Sequence, residues 1–321
     1  MEFGIFLGFV YCHLEFLMSL KTAIKSFATQ ALGFDACRFS GLKMEGRLKA
    51  YRKWLAKQYH GDMRYLERHF KFKEDPQLLL PGARSAIVVI KSYRNTPQRK
   101  LRNRFKIARY AVGRDYHNVM RERMERLADF IRQQEPAINC YLGVDSRPIM
   151  ERGLAIQSGI GFLGKNTMVI RPGLGSYFFI GVILTTHPFL PDAPLKRSCG
   201  RCRLCIAACP TGALKANSVM DARKCISYLT IENKSALLEQ QARQAKGWVF
   251  GCDICQEVCP HNRGQKKLTD WKEFLPESGV GFDFFEKAAG ADAPAGDIPK
   301  DSALYRSRKL IKQNHPLFLK S

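Results

Sequence analysis

The sequence has few acidic residues and no apolar run long enough to cross a bilayer. Its 321 residues include 29 Asp and Glu against 52 Lys and Arg, which gives a formal net charge of +23 at pH 7. His13 and Glu15 interrupt the apolar N-terminus, and Glu2 stands where a signal peptide needs positive charge. These absences argue against membrane and secreted proteins, so we expect a cytoplasmic protein with no membrane partner.

The excess of positive charge indicates a polyanionic partner. An apolar share of 45 % is typical of a globular chain and excludes wholesale disorder. A charge of +23 costs self-repulsion, so it favours contact with nucleic acid, an anionic membrane surface or a phosphorylated substrate. Two runs contain no acid: 94–109 has seven Lys and Arg, and 302–321 has five. Such runs are usually solvated faces, but two of them in one basic chain favour phosphate contact.

The patterns along the chain divide it into four segments. Residues 1–17 precede a better helix start at Met18, so we expect an N-terminal extension or a loosely attached segment there. Alternating helix and strand patterns predict an α/β domain over 18–194. A cysteine-rich domain is predicted over 195–265, and a basic C-terminal segment over 266–321.

Three local patterns are predicted within the α/β domain. The apolar, β-branched run 86–90 predicts a buried central strand. A helical stretch is expected over about 104–134 with a break near Gly113, and its second part carries an apolar stripe: Met120, Met124, Leu127 and Ile131. Strands over 167–170 and 177–185 are predicted to form a hairpin.

Eight of the eleven cysteines lie between Cys199 and Cys259. The first run has the bacterial ferredoxin pattern C-x2-C-x2-C-x3-C-P of [4Fe–4S] proteins: Cys199, Cys202, Cys205 and Cys209. The second run, C-x2-C-x3-C-P, lacks one cysteine that Cys225 can supply: Cys252, Cys255 and Cys259. In two-cluster ferredoxins the cysteine before the proline binds the other cluster. The first cluster is therefore assigned to Cys199, Cys202, Cys205 and Cys259, and the second to Cys209, Cys225, Cys252 and Cys255.

Zinc knuckles are the alternative for paired cysteines. A zinc ion has no use for the closely spaced third cysteine or for two Cys-Pro endings. Two adjacent one-electron centres indicate electron transfer, because one cluster would suffice for a structural role. The neighbouring basic residues either offset the negative charge of a cluster or belong to a nucleic-acid face, and the sequence leaves both open: Lys196, Arg197, Arg201 and Arg203.

Two other features have ambiguous patterns. The segment Gly159–Asn166 matches nucleotide-binding glycine motifs in outline, but it follows a predicted helix, so we predict no nucleotide site and only close backbone approach. Asp145 ends a predicted strand, where functional groups are common, yet its spacing to Pro148 also suits a helix cap. Tyr116 and His117 are interpreted as core or surface residues.

Together these segments resemble the epoxyqueuosine reductases, cobalamin-dependent iron–sulfur enzymes of queuosine tRNA modification. The resemblance covers about residues 19–265 and rests on Leu80–Ser85, Ala108–His117, Val144–Pro148, Gly161–Thr167, Cys225–Glu232 and both cysteine runs. The chain resembles a short form without the C-terminal helical-repeat extension of many members. The fold class implied is α/β, a nitroreductase-like cobalamin-binding domain followed by a bacterial-ferredoxin-like domain with two [4Fe–4S] clusters.

The resemblance also implies a reaction. The clusters, supplied by an external low-potential electron donor, would reduce base-off cobalamin to cob(I)alamin. Epoxyqueuosine at the wobble position of a tRNA anticodon would then lose its epoxide oxygen as water. Asp145 would donate the proton, and a closed pocket beside the corrin is expected to raise its pKa. A monomer is expected.

Binding residues follow from the resemblance as well. The implied cobalamin contacts are Arg68, Asp145, Val169, Ser227, Cys252 and Asp253. The implied tRNA contacts are Lys234 and Ser235, with Arg306, Arg308, Lys309 and Lys312 assisting. Two alternatives are a cobalamin and iron–sulfur reductase of a small halogenated or epoxidised molecule, and a non-catalytic electron carrier or RNA-binding module without cobalamin. The first is disfavoured because a small neutral substrate needs no basic surface.

Overall fold

The computed structural model describes residues 19–95, 104–216, 218–264, 267–287 and 298–320. The predicted extension over 1–17 and part of the first basic run lie outside these ranges. Within them, no helix is both long and apolar enough to cross a membrane.

The described elements alternate between helices and short strands. The strands are β1 Ala36–Gly41, β2 Ser85–Ser92, β3 Lys106–Ile107, β4 Cys140–Gly143, β5 Phe162–Leu163, β6 Val169–Ile170, β7 Phe178–Thr185, β8 Leu214–Lys215, β9 Val219–Met220 and β10 Trp248–Phe250. The helices are α1 over 19–26, then α2 Glu45–Ala56, α3 Tyr65–Arg68, α4 Phe70–Glu74, α5 Tyr116–Gln134, α6 Glu151–Gln157, α7 Leu204–Ala208, α8 Ile226–Ile231, α9 Glu239–Ala245, α10 Ile254–Glu257, α11 Phe284–Lys287 and α12 Arg308–Lys320.

The main sheet has four strands in the order β1-β2-β7-β4, and all neighbours are antiparallel. Every residue of β2 is buried, which confirms the predicted central strand. Successive side chains point to opposite faces, so Ile87 and Val89 pack with α5 while Val88 and Ile90 pack with α6. The apolar stripe predicted for α5 is buried in the first of these cores.

The predicted helix over 104–134 is wrong in its first part. Only Tyr116–Gln134 forms the long helix. Lys106 and Ile107 instead pair in parallel with β10, and the Ala108 N–H continues this pairing by donating to the Phe250 carbonyl over 2.8 Å. Pairing with a strand more than 140 positions away overrides the local helical pattern.

The predicted hairpin is also wrong. β6 pairs with the preceding β5, and the turn between 170 and 177 closes only an isolated bridge from Arg171 to Gly175. β7 lies between β2 and β4, where seven of its eight residues are buried. Burial on both sheet faces explains why this apolar strand takes a central position.

The C-terminal helix shares a core with the segment that follows the first cysteine run. Leu304 and Ile311 are buried together with Phe250 and Ile226. α12 contacts α8, α9 and β10. The basic segment therefore has an apolar inner face that is part of this core.

Candidate active site and cysteine clusters

Asp145 lies in the loop between β4 and α6, with a backbone held in a strained conformation. Its φ is +52°, in the left-handed region that non-glycine residues rarely adopt. Its N–H donates to Glu151 Oε1 over 2.6 Å, which fixes the backbone. The Asp145 side chain is 53 % exposed, so the carboxyl group faces an opening.

The start of α5 holds the Asp145 carboxyl group in place. The Tyr116 hydroxyl donates to Asp145 Oδ2 over 2.8 Å. His117 Nε2 lies 3.4 Å from the same oxygen, and His117 Nδ1 lies 2.7 Å from Asp115 Oδ1. Asp115 is also the N-cap of α5, because Oδ1 accepts the His117 N–H. The helix cap therefore positions His117 between two carboxylates.

The charges in this site reverse the expectation for Asp145. Burial by itself raises the pKa of Asp145, but hydrogen bonding from His117 and Tyr116 and the His117 charge lower it to about 2. Burial by itself lowers the pKa of His117, but Asp115 and Asp145 raise it to about 9. The raised pKa is predicted for a closed pocket beside the corrin, whereas in the open site described here the pKa of Asp145 is lowered. At neutral pH Asp145 is a carboxylate, and the acidic proton is on His117.

Two further ionisable residues, Lys73 and Glu151, bind the backbone of the loop between β4 and α6 that carries Asp145. The Lys73 ammonium donates to the Ile149 carbonyl over 2.9 Å. Burial lowers the pKa of Lys73 to about 8. Burial, with a smaller contribution from the Asp145 charge, raises the pKa of Glu151 to about 8. The loop is thus tied to α4 and α6 at both ends.

The four cysteines assigned to the first cluster line one small cavity. Cys199, Cys202, Cys205 and Cys259 surround a space of about 40 Å³ that Ile170 and Pro260 close. The Lys165 N–H donates to Cys199 Sγ over 3.4 Å, and its ammonium donates to the carbonyls of Gly200 and Cys202 over 2.8 and 2.9 Å. An all-sulfur donor set suits an iron–sulfur cluster.

The glycine-rich segment 159–166 covers this cavity. A Cβ at Gly161 would collide with the Ile170 carbonyl, and one at Gly164 would collide with the Asn166 side chain. Asn166 Nδ2 donates to the Cys255 carbonyl over 3.4 Å. The close backbone approach expected from the glycines is present, and it packs the segment against both cysteine runs.

The other four cysteines interact with one another. The charges of Cys209 and Cys225 both act on Cys252, and those of Cys225 and Cys252 act on Cys255. Burial raises the pKa of Cys225, Cys252 and Cys255. Cys259 thus shares a cavity with the first run and the charge of Cys209 acts on Cys252 of the second, an arrangement compatible with the predicted ligand swap. In the described ranges, no three His, Cys, Asp or Glu side chains converge as ligands of one metal ion.

Asp253 lies near the candidate active site but faces a separate cavity. Its buried carboxylate accepts the Arg109 N–H over 2.8 Å, and burial raises its pKa to about 6. It lines a cavity of about 340 Å³ with Arg109 and Trp248. Burial raises the pKa of Tyr110, and the negative charges of Asp145 and Asp253 add to that rise.

The remaining predicted binding residues are more scattered. Arg68 is exposed on α3, Ser227 is half-buried on α8, and Val169 is buried in the core beneath the main sheet. These three are not among the described residues that line the 340 Å³ cavity. Lys234 and Ser235 are exposed after α8, and the Lys234 N–H donates to Asp62 Oδ2 over 3.3 Å.

Three residues of this site are not predicted from the sequence: Tyr116, His117 and Glu151. The first two were interpreted as core or surface residues. The available signal was Asp115, whose position before an apolar helical stripe marks a helix N-terminus at which Tyr116 and His117 must lie. No local pattern indicates that Glu151 folds back onto the Asp145 backbone.

Comparison with known proteins agrees with the cysteine pattern. Residues 198–262 match the family model of a 4Fe-4S double cluster binding domain, and residues 73–146 match that of "Epoxyqueuosine reductase QueG, DUF1730". The first match supports iron–sulfur clusters over zinc.

Whole-chain relatives have the same name. The epoxyqueuosine reductase of Cyclobacterium marinum is 38 % identical over 89 % of this chain and 93 % of its own length. That of Escherichia coli is 37 % identical over 81 % of this chain and 69 % of its own length.

Solved structures of epoxyqueuosine reductases share the fold. A crystal structure with an epoxyqueuosine-modified tRNA-Tyr stem loop has a TM-score of 0.83 and 28 % identity, covering 94 % of this chain and 81 % of that chain. A Bacillus subtilis structure, whose catalytic Asp loop is swung out of the active site, has a TM-score of 0.82 and 27 % identity, covering 94 % and 82 %. These likenesses confirm the predicted fold class of an α/β domain followed by a two-cluster domain. The chain belongs to the epoxyqueuosine reductase family.

Proposed function

We propose that the protein reduces epoxyqueuosine to queuosine at the wobble position of tRNA anticodons, as a monomer in the cytoplasm. Family membership supports the reaction, and a related structure holds an epoxyqueuosine-modified stem loop. The observation that carries the proposal is the Asp145 carboxylate, which lies beside a protonated His117 at an opening of the protein. The same chain also carries eight cysteines in two sets, of which the first lines one cavity. We also propose that the domain boundaries lie at about residues 194 and 265, on either side of the cysteine-rich domain.

The residues present fit the cofactors of the family. Two sets of four cysteines suit two [4Fe–4S] clusters. Beside Asp145, the ring of Tyr65 is 36 % exposed, and the Arg306–Glu232 ion pair lies nearby, so the opening offers an aromatic face with a charged border. Such a surface fits the flat, amide-bearing cobalamin. Its proposed contacts are Arg68, Asp145, Val169, Ser227, Cys252 and Asp253.

The reaction needs two electrons and two protons, because the epoxide oxygen leaves as water and an alkene remains. Cobalamin, when bound, supplies the two-electron reductant, and the clusters supply electrons one at a time. Asp145 lies at the opening and delivers a proton to the leaving oxygen. Bound cobalamin and substrate would cover the exposed side of Asp145 and remove the water that stabilises its carboxylate. This raises the pKa of Asp145 towards the value that a proton donor needs. His117 Nε2 lies 3.4 Å from Asp145 Oδ2, so His117 restores the proton once the two atoms move to hydrogen-bonding distance.

Asp145 is tested by replacing its carboxyl group with an amide of the same shape. Asp145→Asn should leave the iron content unchanged and, at saturating cobalamin, lower turnover by about 10² or more, the usual share of general acid catalysis. Queuosine formed in a purified tRNA is measured by nucleoside mass spectrometry. Asp129→Asn is the matched control, because Asp129 is exposed on α5 and only pairs with Arg132. Full turnover by Asp145→Asn would return Asp145 to a structural role.

The same preparation discriminates between the alternatives. Reduction of a halogenated phenol without any change to tRNA would favour a small-molecule reductase. Absence of corrin absorption after anaerobic reconstitution with cobalamin would favour an iron–sulfur electron carrier. Formation of queuosine in tRNA excludes both as the main activity.

A further inference from the structure

Most residues that flank the first cysteine set are exposed, whereas most of those that flank the second set are buried or half-buried. Around the first set, Gly200, Arg201, Arg203 and Leu204 are exposed, and Leu204 is 44 % exposed. Around the second set, the flanking residues Ile226, Gly251 and Asp253 are buried. Because electron transfer slows steeply with distance, the exposed flank of the first set is the closer approach for an outside electron carrier.

The surface beside the first set is strongly basic. Between Asp192 and Asp221 the chain has no acidic residue and five basic ones. Asp192 is paired with Lys21 and Lys25, and Asp221 is paired with Arg223, so these two acids do not neutralise the run. Among the described residues, none forms an ion pair with the four exposed cations: Lys196, Arg197, Arg201 and Arg203.

We propose that this basic surface, defined by Lys196, Arg197, Arg201, Arg203 and Leu204, docks an acidic, low-potential, one-electron carrier protein of the ferredoxin class. The proposal rests on the proposed function, because it concerns the supply of electrons to the same clusters. In each encounter the carrier is oxidised by one electron and the first cluster is reduced by one, and no bond is made or broken.

Leu204 favours a protein over an RNA partner. Interfaces between proteins combine an apolar centre with a charged rim, and here one exposed leucine lies next to Arg203 and the ligand Cys205. RNA contact relies chiefly on cations, polar groups and aromatic rings, and Leu204 belongs to none of these classes. The charge sign fits an acidic partner, which opposite charge steers to the surface.

The test uses the cluster-loaded full chain and an acidic plant-type [2Fe–2S] ferredoxin as probe. Arg201→Glu/Arg203→Glu should weaken ferredoxin binding and slow cluster reduction by ferredoxin about tenfold or more at low salt. Reduction by reduced methyl viologen, a small cation, should not slow, because a more acidic surface attracts a cation. Arg121→Glu/Arg126→Glu makes the same charge change on exposed positions of α5 and should have no effect.

Several outcomes would overturn the proposal. One is unchanged ferredoxin binding and reduction in Arg201→Glu/Arg203→Glu. Another is loss of anticodon stem-loop affinity with ferredoxin binding intact, which would make the surface an RNA face. If Arg201→Glu/Arg203→Glu loses iron, the same measurements are made on Arg201→Gln/Arg203→Gln, and the same two outcomes would overturn the proposal. Ferredoxin binding and cluster reduction are measured without tRNA turnover. A protein that accepts electrons from ferredoxin but leaves epoxyqueuosine unchanged would therefore refute the proposed function and not the docking proposal.

Discussion

Protonated His117 should be a major source of pH dependence in this enzyme. The His117 side chain is only 20 % exposed and lies between Asp115 and Asp145. Its pKa rises from the ordinary 6.5 to about 9. At about 1.4 kcal/mol per pKa unit this corresponds to about 3 kcal/mol of stabilisation of the folded state.

The sign of the effect follows from the folded pKa lying above the unfolded one. The stabilisation is complete below about pH 6.5 and is lost as the pH rises through about 9. His117→Gln removes the charge, so it should be less stable than the wild type by about 3 kcal/mol at pH 6 and by much less at pH 10. Urea unfolding of both proteins at a series of pH values measures this difference.

The same proton should appear in the kinetics. Wild-type kcat/KM should fall on the alkaline side with a midpoint near pH 9, because His117 can no longer reload Asp145. Asp115→Asn removes one of the two carboxylates that raise the pKa of His117, so it should move the midpoint to lower pH. An alkaline limb that is identical in the wild type and Asp115→Asn, or a stability difference that does not change with pH, would refute this reasoning.

Three other predictions concern the clusters, the core and the substrate. Cys225→Ser should halve the iron content, as measured by iron and sulfide analysis, whereas unchanged iron would contradict the ligand swap. Leu127→Ala should lower the free energy of unfolding by about 2–5 kcal/mol in urea titrations, because Leu127 is fully buried between α5 and the main sheet. The affinity for tRNA should fall steeply between low and physiological salt if the +23 charge contacts phosphates, and a salt-independent affinity would exclude this.

Short-range patterns of the sequence predict much of this protein. The spacing of the cysteines predicts the cluster domain, since three thiolates separated by two residues each can wrap one cluster. The β-branched run 86–90 and the apolar stripe of α5 predict elements whose burial the structure confirms. The assignment of Cys209 and Cys259 to opposite clusters stays a prediction, and the grouping of the cysteines supports it.

The tertiary structure decided what depends on distant partners. The pairing of β3 with β10 and of β6 with β5 overrode a helical pattern and a turn signal, because hydrogen bonds to another strand outweigh weak local preferences. Asp145 and His117 are 28 positions apart, and only folding puts the imidazole beside the carboxylate. Their charges act across that contact, so the sequence could name Asp145, but only the fold shows which of the two residues holds the proton.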